Sequence, residues 1–240
     1  MKGTLALVGS GEFLDTMRPI DSLLLDAIGG PDLARVVVIP TASAPDGPRV
    51  MAGWAARGQA HFAALGASAD AALIADRAGA DDPAIVARIA AANVVYLSGG
   101  KPGFLLATLR GTRAWDAVLH VYEQGGVLAG CSAGAMILGA RLLAPRLRLG
   151  WPWVFADACG LVPHSVIFPH YDAMPQRIFA LVRASLPPAL TMIGVDEHTA
   201  LISDRDGWQV HGRSGVEIAR GGERRRYRSG ERVALASAAM

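Results

Sequence analysis

Short β-branched and apolar runs alternate with helical stretches through the first two-thirds of the chain, and this rhythm leaves few folds open. Runs at 5–8, 36–39, 71–75, 94–97 and 127–129 read as strands, with helices at 19–28, 49–64, 82–91 and 113–123 between them. Strands that are apolar without a break must be covered on both faces. The pattern therefore predicts an α/β fold, a three-layer sandwich with a mostly parallel central sheet. Val36-Val37-Val38-Ile39 is the clearest strand, stopped by Pro40, and Asp81-Asp82-Pro83 supplies an acidic cap with proline in the first helical turn.

After the helix that begins near Ser132 the rhythm changes. Residues 141–163, including Trp151-Pro152-Trp153, carry no long period and read as a loop region with a short hairpin. A strand at 165–168 and a helix at 175–186 restore order. Short runs at 193–195, 199–203, 208–211, 216–219 and 232–235 follow, separated by turns such as Asp206-Gly207 and Gly221-Gly222. These predict antiparallel strands added at the C-terminal end, on the edge of the same sheet. No repeat or linker interrupts the chain, so residues 1–240 read as a single domain.

Apolar residues make up 52% of the chain and charged residues 18%, enough to fill one large core and too apolar for a disordered chain. Two cysteines, Cys131 and Cys159, cannot build a disulfide framework or a cysteine zinc cluster. A net charge of +2 gives little steering towards nucleic acid or a membrane. The one dense basic run, Arg224, Arg225, Arg226 and Arg228, reads as a solvated edge or turn. The apolar run at the amino terminus ends at Gly9, too short for a secretory core or a span, and a cytoplasmic protein is expected. The apolar surplus tilts the expectation towards a homodimer.

Chemistry concentrates in glycine turns that follow strands. Gly9-Ser10-Gly11-Glu12 does not complete a dinucleotide fingerprint, because Leu14 stands where the third glycine is needed. It reads as a tight turn beside the active crevice, with Glu12 a helix-side surface charge. The stronger signal is Gly130-Cys131-Ser132-Ala133-Gly134, a G-x-S-x-G string between the strand at 127–129 and an apolar helix start. In a nucleophile elbow the serine occupies a strained turn, small neighbours avoid collision, and amides at the helix start face a developing oxyanion. Ser132 is the candidate nucleophile, and the adjacent Cys131 thiol points inward. The alternative for Ser132 is a helix cap. Leu97-Ser98-Gly99-Gly100-Lys101 makes a second such turn, whose amides suit the other half of an oxyanion hole.

A serine hydroxyl loses its proton as it attacks, and histidine is the usual base. His61 and His120 fall in amphipathic helices and His211 in a terminal strand. His164 and His170 flank the strand at 165–168, and His198 follows Asp196-Glu197. His170 lies at a strand's carboxyl end, where ligands collect in such sheets, and ranks first. The orienting acid is Glu197, Asp196, Asp157 or Asp172; spacing does not choose. No paired-histidine motif suggests a metal, and no cofactor is expected.

With these residues in view, the chain resembles the serine-peptidase family that contains cyanophycinase and bacterial dipeptidase E. The resemblance rests on Ile39-Pro40-Thr41-Ala42-Ser43, Leu97-Ser98-Gly99-Gly100 and Gly130-Cys131-Ser132-Ala133-Gly134-Ala135. It continues through Gly160-Leu161-Val162-Pro163, Pro169-His170-Tyr171 with Arg177 downstream, and Gly194-Val195-Asp196-Glu197-His198-Thr199-Ala200-Leu201. It implies a flavodoxin-like, class I glutamine-amidotransferase-like fold, with Ser132 as nucleophile, His170 as base, Glu197 as the acid, and amides of Gly100 and Ala133 at the oxyanion. Members cleave bonds beside aspartyl residues in short or isoaspartyl peptides, so a small acidic peptide or amide is the implied substrate, bound without cofactor. A substrate carboxylate needs a cationic partner, and Lys101 and Arg177 are the candidates, with Arg177 favoured by the resemblance. The chain departs from cyanophycinase-like members after the double glycine, where Lys101-Pro102 replaces polar residues. That departure motivates the rival reading, a catalytically silent binding or regulatory protein on the same fold.

Overall fold

In the computed structural model, which describes residues 2–144 and 154–235, the expected alternation is present. The first half runs β1 (Thr4–Val8), α1 (Arg18–Asp26), β2 (Arg35–Ile39), α2 (Pro48–Ala64), β3 (Ser68–Ala71), α3 (Pro83–Ala90), β4 (Val94–Leu97), α4 (Pro102–Leu109) and α5 (Arg113–Glu123). Next come β5 (Val127–Cys131), α6 (Ala133–Leu138), β6 (Gly139–Ala144), β7 (Val154–Asp157), β8 (Val162–Phe168) and α7 (Gln176–Ser185). The chain closes with β9 (Thr191–Val195), β10 (Thr199–Asp204), β11 (Gly207–Gly212), β12 (Gly215–Arg220), β13 (Glu223–Arg228) and β14 (Arg232–Val233). Local chemistry sets several starts. Asp82 accepts from the Ala84 amide at 2.8 Å ahead of Pro83 in α3, and Thr112 accepts from Trp115 N at the start of α5.

Five parallel strands lie in the order β1, β5, β4, β2, β3, and the antiparallel β10, β11 and β14 continue the sheet beyond β1. Side chains alternate between its faces. Ala6 and Val8 of β1 pack with Met17, Ile20 and Leu24 from the α1 region, while Leu5 and Leu7 join Trp115, Val118 and Ile137 on the opposite side. The sandwich thus has α1 and α2 on one face and α3 to α6 on the other.

Two expectations need correcting. The C-terminal strands do not all extend one edge: β9, β12 and β13 form a second sheet with β8, β6 and β7, in the order β13, β12, β9, β8, β6, β7. The reason lies in β9, whose Met192 packs under α7 with Phe179 and Val182 while Ile193 packs into the main core, so it needs cover on both faces. The third strand is Ser68–Ala71 rather than 71–75. It pairs with β2 alone, from Arg35 opposite Ser68 to Val38 opposite Ala71, and its exposed Ser68 and Asp70 mark a sheet edge. Ala72 adds one last bond, its amide donating to Val38 O at 2.9 Å, and Ile74 is buried from the loop beyond it, its amide turned to Ala72 O. The expected hairpin within 141–163 is β6 paired antiparallel with β7; Trp151-Pro152-Trp153 lies outside the described residues.

Candidate active site

The β1, β4 and β5 strands end side by side, so the three glycine turns that follow them meet at one edge of the main sheet. Ser132 follows β5 directly, and its backbone is left-handed, with φ 50° and ψ −111°. A non-glycine residue is held there only when its surroundings fix it. Its amide donates to Val8 O at 3.0 Å, and α6 starts at the next residue. Gly130 and Gly134 make the turn possible. A methyl on Gly130 would lie 2.5 Å from the Gly134 carbonyl, and one on Gly134 would strike the Leu97 carbonyl.

The Ser132 hydroxyl stands 2.9 Å from His170 Nε2, and His170 Nδ1 stands 2.9 Å from Glu197 Oε1. A carboxylate only accepts, so the proton of the neutral ring belongs on Nδ1, donated to Glu197, and Nε2 accepts from the serine hydroxyl. This chain of groups is able to relay a proton from Ser132 while keeping the imidazole oriented. Each of the His170 and Glu197 side chains is 39% exposed, so the site opens to solvent.

The histidine is delivered by a strained turn after β8, with His170 at φ 52°. Tyr171 holds that turn down. Its amide donates to Val195 O, its ring lies where a side chain on Gly194 would stand, and its hydroxyl donates to Glu217 at 2.5 Å. Arg183 donates to both Tyr171 Oη and Glu217. Burial and the Glu217 contact push the Tyr171 phenol well up from its ordinary value, keeping it a donor.

Of the four acids left open by spacing, Glu197 alone bonds His170. Asp196 is fully buried and accepts from Ser214, the Gly215 amide and Arg226. Asp157 pairs with Arg141, and Asp172 accepts from the Glu197 amide at 2.8 Å, steadying the acid's backbone. Among the other histidines, His61 pairs with buried Asp21, His120 is exposed on α5, and His211 is half-buried on β11, where burial lowers its pKa. His198, left-handed at φ 51°, bonds Thr16 Oγ1 at 3.1 Å.

Among the described residues, the Gly100 and Ala133 amides donate to no protein acceptor. The double glycine lies against the serine, since a methyl on Gly99 would sit 3.1 Å from Ser132 Cβ. Lys101 immediately precedes α4, without a side-chain capping bond, and its ammonium lies 3.7 Å from Asp46, while Arg177 is exposed on the first turn of α7. Neither is brought against Ser132 by a contact, and Arg177 makes no ion pair with Asp172 among the described residues.

Sequence reasoning missed Glu12, which is no helix-side charge. It is half-buried, accepts from the Gly99 amide at 2.9 Å, and accepts from the Cys131 thiol at 3.0 Å. Burial first, and then the Glu12 charge, push the Cys131 thiol well above its ordinary value, so it is a buried donor. Among the described residues no three histidine, cysteine or acidic side chains converge as a metal-holding group. No helix there is long and apolar enough to cross a membrane.

The model of peptidase family S51 matches residues 5–211. The chain is 30% identical over 232 residues to the cyanophycinase of Synechococcus elongatus, covering 90% of this chain and 68% of that one. It is 28% identical over 199 residues to the cyanophycinase of a Nostoc species, covering 79% and 64%. Among solved structures, a peptidase from an acI-B1 Actinobacterium superposes with a TM-score of 0.86 at 29% identity, covering 98% of both chains. A putative peptidase E protein from Listeria monocytogenes shares the fold, with a TM-score of 0.62 at 21% identity over 95% of this chain and 99% of that one.

Proposed function

The chain belongs to peptidase family S51, and from that premise we propose that it is a serine peptidase opening small acidic or isoaspartyl peptides through an acyl-enzyme. The observation that carries the reading is the unbroken line from Ser132 through His170 to Glu197, both links 2.9 Å, with the serine on a left-handed turn.

Ser132 Oγ attacks the scissile carbonyl as His170 Nε2 takes its proton. Glu197 holds the imidazole and stabilises the imidazolium that forms. The negative oxygen of the tetrahedral intermediate is met by the Gly100 and Ala133 amides, and each such donor is worth about 3 kcal/mol of transition-state stabilisation. His170 returns the proton to the leaving amine, leaving an ester on Ser132. Water enters on the same path, His170 takes its proton, and collapse of the second intermediate returns the hydroxyl to Ser132.

The substrate class rests on the family resemblance and on the cyanophycinases among its relatives. A carboxylate on the substrate meets Arg177 rather than Lys101, because Lys101 already faces Asp46 while Arg177 carries a planar fork without an ion-pair partner among the described residues. What supports an active enzyme over the silent alternative is the placing of Pro102. Pro102 occupies the first position of α4, where a missing N–H breaks no helical bond, and the turn before it keeps the Gly100 amide available.

Hydrolysis of α- and β-aspartyl dipeptides, followed by release of free aspartate, tests the reading. Wild type should turn over at least one of them and Ser132→Ala none. Equal turnover by both proteins, or none by wild type across the series, refutes the proposal.

A further inference from the structure

The Glu12 carboxylate reaches from the turn after β1 to the turn after β4, across the end of β5 that lies between them. Its two oxygens accept from one group on each of the turns that frame the oxyanion: the Gly99 amide, and the thiol of Cys131 immediately before Ser132. We infer that Glu12 is a positioning residue, a clamp that fixes the Gly99–Gly100 peptide against the elbow so that the Gly100 amide faces the reacting carbonyl. The inference rests on the proposed roles of Ser132 and Gly100.

Three successive amides carry the argument. The first, on Gly99, is bound by Glu12 at 2.9 Å, and the third, on Lys101, is bound by Ala42 O at 2.7 Å. The middle one, on Gly100, has no acceptor among the described residues. Pinning both neighbours removes the rotation that would turn the middle peptide away. Sterics point the same way. A methyl on Gly99 would stand 2.7 Å from Glu12 Oε1 and 3.1 Å from Ser132 Cβ, and Gly100, at φ 142°, lies tight on the Ala42 backbone.

The residue after the glutamate shows how it is held. Phe13 is left-handed at φ 65°, an uncommon state for an aromatic residue. Its ring is anchored beneath the turn by Tyr96 at 5.1 Å, His61 at 6.0 Å and Phe62 at 6.2 Å between centroids. Gly58 leaves room for the ring, since a methyl there would meet it at 2.9 Å. With Phe13 locked downward, Glu12 projects towards the elbow. Among the described residues it forms no ion pair, so its partners are neutral donors.

The test is the rate at which a fluorophosphonate phosphonylates the active serine, whose oxygen displaces fluoride from phosphorus while the phosphoryl oxygen takes the oxyanion site, a reaction that needs no knowledge of the natural substrate. Glu12→Met fills the same space without an acceptor and should lower the maximal rate about 10- to 100-fold, with little change in the concentration for half-maximal rate. Glu12→Gln keeps an acceptor for Gly99 and should stay within a few-fold of wild type. Glu12→Asp keeps the charge but falls one methylene short, and should be slower than Glu12→Gln. That ordering serves if Glu12→Met does not fold. Wild-type rates in Glu12→Met, or a faster Glu12→Asp than Glu12→Gln, overturn the clamp. Ser132→Ala run alongside separates the two readings. If it labels like wild type, the nucleophile and the clamp both fall. If it is unlabelled while every Glu12 variant reacts normally, only the clamp falls.

Discussion

Ser132 holds a backbone conformation that serine avoids in isolation, so its place depends on what its neighbours lack. Gly134 is the most exacting of them. A methyl there meets Leu97 Cβ at 2.9 Å and its carbonyl more closely, which would push α6 off β4. Gly134→Ala should cost about 1–3 kcal/mol in urea unfolding. A variant as stable as wild type would mean that the turn is not held by this packing. Glu197→Gln tests the far end of the relay. The amide is able to turn a donor towards Nδ1 and favour the wrong tautomer, so kcat should fall about 10²- to 10⁴-fold with KM little changed. A loss confined to KM would assign Glu197 to substrate binding instead. At this scale Ser132 and His170 were legible, because a strand, a G-x-S-x-G turn and a helix start announce themselves locally, and His170 ends a strand. Glu12 was not legible. Its partners are a backbone amide 87 residues away and a buried thiol, and neither leaves a mark in the spacing.

Elements differ in how much of their pairing the sequence discloses. In the main sheet β1, β2, β4 and β5 were readable from apolar runs buried on both faces, whereas the half-exposed edge strand β3 carries no such run and was placed too late. The division of the C-terminal strands between two sheets was not readable, because short alternating runs suit either edge. The basic run lies, as its charge suggests, on an exposed sheet edge. It forms β13, and from there Arg226, still largely in solvent, reaches the buried Asp196 at the point where the chain passes from β9 to β10. Arg226→Met should cost about 2–3 kcal/mol in denaturant, less than a fully enclosed pair, because 44% of the arginine side chain is already in water. No loss would mean that Ser214 and the Gly215 amide suffice for Asp196. A weaker tie joins β10 to β14, where both Arg232 nitrogens donate to Asp204 at 2.9 and 2.8 Å. Those bonds hold the Asp204 carboxyl below its ordinary value. A folded value below the unfolded one gives stability above the usual carboxylate range that disappears as pH falls through the folded value. Both side chains are more than 40% exposed, so water screens the pair and leaves it a small contribution. The difference in melting temperature between wild type and Asp204→Asn should be small at neutral pH and vanish on acidification. A difference that grows in acid contradicts the assignment.

Across the whole molecule, one buried cluster includes Leu5 and Leu7 of β1, Ile167 of β8, Ile193 of β9, Val216 of β12 and Tyr227 of β13. The two sheets therefore share a core, and each loses apolar contact if the other opens. Calorimetry should find a single cooperative unfolding transition for residues 1–240, and two separable transitions would divide the chain into independent units. The shared core also explains why the candidate site is assembled from distant segments. Ser132 comes from the main sheet, His170 from the second, and Glu197 from the crossing between them. The most direct test of that assembly is peptide mapping after reaction with a fluorophosphonate. A single adduct on Ser132, absent from Ser132→Ala and strongly slowed in His170→Ala, is the predicted result. An adduct on another residue, or undiminished labelling without Ser132, would contradict the account.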